Sequence, residues 1–149
     1  NLIKSIESRI KFNNGNILVD QLLLNLGKLG AADATGVINN EKKVNSDKIF
    51  TNFRFESNVF VDNEKKFLSK FGIYNKKNIS SDFFISGNFD LENLRTSFYE
   101  ISGKEKLSDE NINFVEKEFN AFMLEDGIKS LFVFPNFKEF LKSATSETN

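Results

Sequence analysis

The chain contains no cysteine, no histidine and no tryptophan, and a single proline among 149 residues. Without cysteine there is no disulfide and no thiolate metal site, and the redox compartment is left open. Without histidine the commonest neutral-pH acid/base and the commonest metal ligand are both missing. Charge of either sign is not in surplus: Lys+Arg is 20 and Asp+Glu is 21, a net charge of -1. These charges are scattered, so no basic stripe points to nucleic acid and no acidic block points to a tail. No apolar run approaches the about 20 residues that a membrane span needs, and no signal peptide is present. The sequence opens on Asn1 rather than Met. We therefore expect a single domain over residues 1–149 that is a piece of a longer protein, with any membrane anchor in the remaining part.

What the chain does have is phenylalanine, 18 in all, much of it in alternating runs. The first run, RIKFNNGNILVD, places Asn14-Gly15 between two alternating segments, and Asn-Gly is a favoured type I′ hairpin turn. That turn predicts Phe12 opposite Ile17, Ile10 opposite Val19 and Arg9 opposite Asp20. Gly27 and Gly30 predict a bend, after which Ala31 to Asn39 reads as a strand of small residues. KIFTNFRFES is a strong strand, with Ile49, Thr51, Phe53 and Phe55 on one face and Phe50, Asn52 and Arg54 on the other. FFISGNFDL repeats the pattern, with Phe83, Ile85, Gly87 and Phe89 sharing a face. A two-residue turn at Glu92-Asn93 would set Leu91 opposite Leu94, Phe89 opposite Thr96, Asp90 opposite Arg95, Gly87 opposite Phe98 and Phe84 opposite Ile101. Glu-Asn is not an ideal pair for that turn, so a longer loop with a shifted register is the alternative. Phe98 lying across Gly87 would restore the packing that a strand glycine cannot supply.

The period changes twice to that of a helix. VDNEKKFLSKFG predicts a short helix over 62–71, capped by Asp62 and ended by Gly72. After GKEK, Ser108 is a good N-cap, Leu107 with Ile112 fits a hydrophobic staple, and Ile112, Val115, Phe119, Phe122 and Met123 form one stripe ended by Gly127. IKSLFVF is either a short buried strand or a turn of helix, and Asn136 caps a last helix carrying Phe137, Phe140 and Leu141. The expected fold is α+β. A mainly antiparallel, curved sheet of about six strands fills 1–102, with helix 62–71 between strands. Two C-terminal helices, within 107–145, pack on one face.

Chemistry is hard to find. LGKLGAADATG is glycine-rich, but it holds neither GxGxxG nor a Gly-Lys-Ser/Thr opening a helix, so small strand residues between bends explain it. Asp109-Glu110 sits where acids favour a helix dipole, and Glu125-Asp126 sits near a helix end. No DxDxDG-type loop exists for calcium. Paired carboxylates could converge only in three dimensions, and Ser or Thr lacks the usual activating partner, leaving at most a Ser-Lys pair. Tyr74 and Tyr99 fit a sheet edge or loop. We expect no enzyme, no metal and no cofactor. The one functional opening is an apolar sheet face left partly uncovered, because such patches bind things. The candidate positions are Ile49, Phe53, Phe55, Phe83, Ile85 and Phe89.

The order of motifs resembles the AsmA-like family of bacterial envelope proteins. IKFNNGNILVDQLLLNLGKLGAADATGVIN resembles its repeating element, a strand beginning near a glycine, an apolar strand and a strand of small residues. FFISGNFDLENLRTSFYEIS resembles a second copy of the glycine-centred strand. LSDENINFVEKEFNAFMLEDGIKSLFVFPNFKEFLKSA is similar to a helical segment near the end of some members. The resemblance implies a β-rich body in the periplasm, attached to the inner membrane through residues outside this chain. It also implies a hydrophobic groove serving phospholipid transport or outer-membrane maintenance. Phospholipid acyl chains and other domains of the same longer chain are the implied partners, with no nucleic acid. The helices depart from the simple pattern. If they close over the sheet, the alternative is a structural or protein-interaction capping module with a fully buried sheet and no ligand.

Overall fold

A computed structural model describes residues 3–42, 44–63, 65, 66, 69 and 82–127. The first two strands, β1 (Ser5–Asn13) and β2 (Asn16–Asn25), form the hairpin that the Asn14-Gly15 pair dictates. Both turn residues take the left-handed backbone that type I′ requires, at φ 48 and 81. A short 3-10 turn, Gly27–Leu29, reverses the chain into β3 (Gly30–Lys42). β4 (Ile49–Val61), β5 (Asp82–Asp90) and β6 (Arg95–Ser102) follow. Among the described residues one helix, α1 (Asp109–Asp126), follows the strands. The strands form one six-stranded sheet in the order β1-β2-β3-β4-β5-β6, every neighbour antiparallel. It is an open meander, and α1 packs against β6.

The register confirms five expected pairs and corrects two, and Leu91 and Leu94 lie in the turn rather than forming a pair. Phe12 faces Ile17 and Ile10 faces Val19, but Arg9 faces Gln21, not Asp20. Past Val19, β2 carries one residue more than β1, a bulge that moves every later pair by one. Asp20 instead forms an ion pair with Lys11. In the last hairpin Asp90 faces Arg95, Phe89 faces Thr96 and Gly87 faces Phe98, but Phe84 faces Ser102 while Ile101 faces Ile85. The cause is again a bulge, with Tyr99 the extra residue in β6, 53% exposed on the sheet edge. The connection is a four-residue turn, Leu91 to Leu94, not a two-residue one. Asp90 shapes it: Oδ1 accepts the backbone N–H of Glu92 at 2.9 Å and of Asn93 at 3.0 Å. Leu94 closes it in the left-handed region at φ 53. The added residues are taken up inside the loop, so the pairing nearest the turn is unchanged.

α1 begins and ends as its sequence predicts. Ser108 Oγ accepts the N–H of Asn111 at 3.3 Å, and Gly127, at φ 62, donates its N–H to the carbonyl of Met123. Ile112, Phe122 and Met123 are buried, Met123 at 1% exposure. Phe119 meets Phe98 edge-on, with centroids 5.6 Å apart. The second expected C-terminal helix, from Asn136, lies outside the described residues. Of the expected helix 62–71, Lys65, Lys66 and Ser69 are helical. Asn63 takes the capping role expected of Asp62, its Oδ1 accepting the N–H of Lys66 at 2.9 Å.

Candidate functional site

Antiparallel partners share a face, so the register sorts every side chain. Phe12, Ile17, Ile38, Phe53, Phe89 and Thr96 make one row running across all six strands. The next row is Ile10, Val19, Gly36, Phe55, Gly87 and Phe98. Ser57 with Ile85, and Val59 with Phe83, continue the same face. Five of the six expected positions, Phe53, Phe55, Phe83, Ile85 and Phe89, therefore come together and are half-buried. Ile49 shares their face but sits at the start of β4 opposite Lys42, 56% exposed. The row pattern also brings in Ile17 and Val19, expected only as hairpin partners of Phe12 and Ile10, and Ile38, from a strand expected to carry small residues.

Two glycines shape this face. The rings of Phe53 and Phe55 stack, with centroids 5.7 Å apart. Phe53 leans over Gly36 and Phe55 over Gly87. A Cβ at Gly36 would stand 2.7 Å from Cε2 of Phe53, and one at Gly87 would stand 3.2 Å from Cζ of Phe55. Phe98 is opposite Gly87 as expected, yet the ring nearest the gap comes from β4. Phe55 is the direct partner of Gly87 on the β4 side, whereas Phe53 reaches Gly36 diagonally.

The opposite face is mixed, carrying Leu18, Val37, Phe50, Phe60 and Phe84 among polar residues. Asn39, Asn52, Asp90 and Arg95 form one row. Asn88 donates from Nδ2 to Asn52 Oδ1 at 3.1 Å, and Asn52 donates from Nδ2 to Glu41 Oε2 at 3.4 Å. Arg54 reaches Glu41 at 3.5 Å. The Arg54–Glu41 pair is exposed and contributes little, whereas the contacts of the buried Asn52 tie β3, β4 and β5 together. Among the described residues no cluster of three or more carboxylates could hold a metal ion, and no helix is long and apolar enough to cross a membrane.

The two edges of the sheet differ. At β6, Asn120 accepts the backbone N–H of Thr96 through Oδ1 and donates from Nδ2 to the Thr96 carbonyl, both at 2.8 Å. Glu116 Oε2 accepts the N–H of Phe98 at 2.9 Å. The spacing explains the match. Four residues of helix advance about 6 Å and two residues of strand about 6.8 Å, so an i, i+4 pair fits alternate strand amides. Two polar side chains at that spacing inside an otherwise apolar stripe were the sequence signal, which the stripe itself obscured. Thr96 is 3% exposed, and its Oγ1 is buried with no hydrogen-bond partner. At the other edge all nine residues of β1 are exposed.

Compared with known families, curated proteins and solved structures, the chain matches no family model, no curated protein and no solved structure.

Proposed function

We propose that this chain is a non-enzymatic domain whose apolar sheet face takes phospholipid acyl chains. In keeping with its resemblance to AsmA-like proteins, it would work in the periplasm, in lipid transport or outer-membrane maintenance. The observation that carries this reading is the pair of in-register apolar rows spanning six strands, whose central aromatic residues stay half-buried rather than sealed. Adjacent strands lie about 4.8 Å apart, so the face is about 24 Å wide. An acyl chain laid on it gains about 0.8 kcal/mol for each CH2 removed from water. The stacked Phe53 and Phe55 rings, held down over Gly36 and Gly87, keep the middle of that surface low and flat. The opposite face, with its Asn-Asp-Arg row, points away from the lipid.

The test is mass spectrometry of organic extracts from the protein purified out of bilayer-containing cells, together with titration by a fluorescent long-chain fatty acid. Co-purifying phospholipid, and binding weakened by Phe89→Asn in a variant that keeps its circular dichroism, is the expected result. Protein that carries no lipid and does not take up the fatty acid would overturn the reading.

A further inference from the structure

We infer that β1 is a self-pairing edge: two copies of this chain join antiparallel through β1, about a two-fold axis at Ser8, into one continuous sheet. This inference does not depend on acyl-chain binding. It starts from the unequal treatment of the two edges. On β6, Asn120 and Glu116 occupy the outward amides of Thr96 and Phe98. That blocks strand addition there, so copies cannot stack head to tail, β1 onto β6. On β1 no described residue pairs with the outer side, and all nine residues are exposed. The strand holds no proline or glycine, and the bulge of this hairpin places its extra residue in β2, so β1 alternates without a break. Such an edge is a template for another strand.

The residues choose the partner. With Ser8 opposite Ser8, Glu7 falls opposite Arg9 and Ile6 opposite Ile10, each pair occurring twice. Sliding the register by two residues in either direction sets Glu7 against Glu7 or Arg9 against Arg9 at the axis. Like charges directly opposite are unfavourable, and opposite charges and apolar pairs are favourable. Neither Glu7 nor Arg9 has an ion-pair partner among the described residues, whereas Lys11 is engaged by Asp20. Ile6 and Ile10, each 49% exposed, lie on the apolar face, so the pairing extends the apolar rows across the junction. The contact is isologous and closes after two copies, because among the described residues β1 is the one free edge.

The experiment measures the oligomeric state of the full chain by analytical ultracentrifugation. The variants are Glu7→Arg, Arg9→Glu and the swap carrying both. We expect a dimer whose dissociation constant rises at least about tenfold in each single variant, where like charges face each other, and recovers in the swap. The chain has no cysteine, so Ser8→Cys places one thiol on each side of the axis. Cross-strand neighbours lie within disulfide reach, so oxidation should link the copies at residue 8, and Asn13→Cys should stay unlinked. A protein that is monomeric at hundreds of micromolar overturns the inference. So does a dimer indifferent to the charge reversals, or one that links through residue 13 and not 8.

Discussion

Replacing Asn120 by alanine tests how α1 seals the β6 edge. The amide of Asn120 makes two hydrogen bonds of 2.8 Å to one residue, Thr96, which is 3% exposed. Removing it leaves a buried N–H and a buried C=O unpaired, at about 1–3 kcal/mol for each group. Alanine is the better helix former and returns about 0.6 kcal/mol. The net loss is then about 1.5–5 kcal/mol. For a chain of this size that lowers the melting temperature by about 3–20 °C. Urea unfolding followed by circular dichroism gives the loss, and hydrogen exchange at the Thr96 amide locates it. The opened edge should also make the variant more prone to associate, since β6 would regain free backbone groups. A loss below about 0.5 kcal/mol, the scatter of ordinary surface substitutions, with Thr96 still protected from exchange, would refute the assignment of Asn120 as the edge cap.

Two further changes probe the sheet itself. A Cβ at Gly87 would stand 2.4 Å from the Ser97 carbonyl oxygen, and one at Gly36 would stand 2.2 Å from that of Arg54. Gly87→Ala and Gly36→Ala should each cost about 1–3 kcal/mol in urea unfolding despite alanine's smaller unfolded-state entropy, and a stabilised variant would contradict the close approach. Thr96→Val removes the buried, unpartnered Oγ1 while keeping a β-branched shape, so it should stabilise the fold by about 1 kcal/mol. A lower urea midpoint for that variant would show that the hydroxyl has a partner.

Much of the sheet was legible because its signal is local. Alternation along β4 and β5 assigned Phe53, Phe55, Phe83, Ile85 and Phe89 to one face, and the register bears this out. The Asn14-Gly15 turn assigned its nearest pairs, and Ser108 and Gly127 marked both ends of α1. The errors lie farther along the same hairpins, where a bulged Asp20 or Tyr99 displaces the pairing. A bulge is one residue left over when two strands are matched, and neither strand announces it alone. The four-residue loop was unreadable for a related reason, since Asp90 folds it by accepting two N–H groups that a tighter turn would have used otherwise.

Sequence by itself determined which side chains share a face along β4, along β5 and next to each turn, where α1 starts and stops, and that one sheet surface is apolar. These follow from the two-residue repeat of a strand and from backbone groups that a neighbouring side chain or glycine satisfies. Tertiary structure alone decided which ring fills the gap at Gly87, how Glu116 and Asn120 close β6, and that no described residue pairs with the outer side of β1. Those outcomes depend on distances between segments far apart in the chain, and they appear only when the pieces are in place.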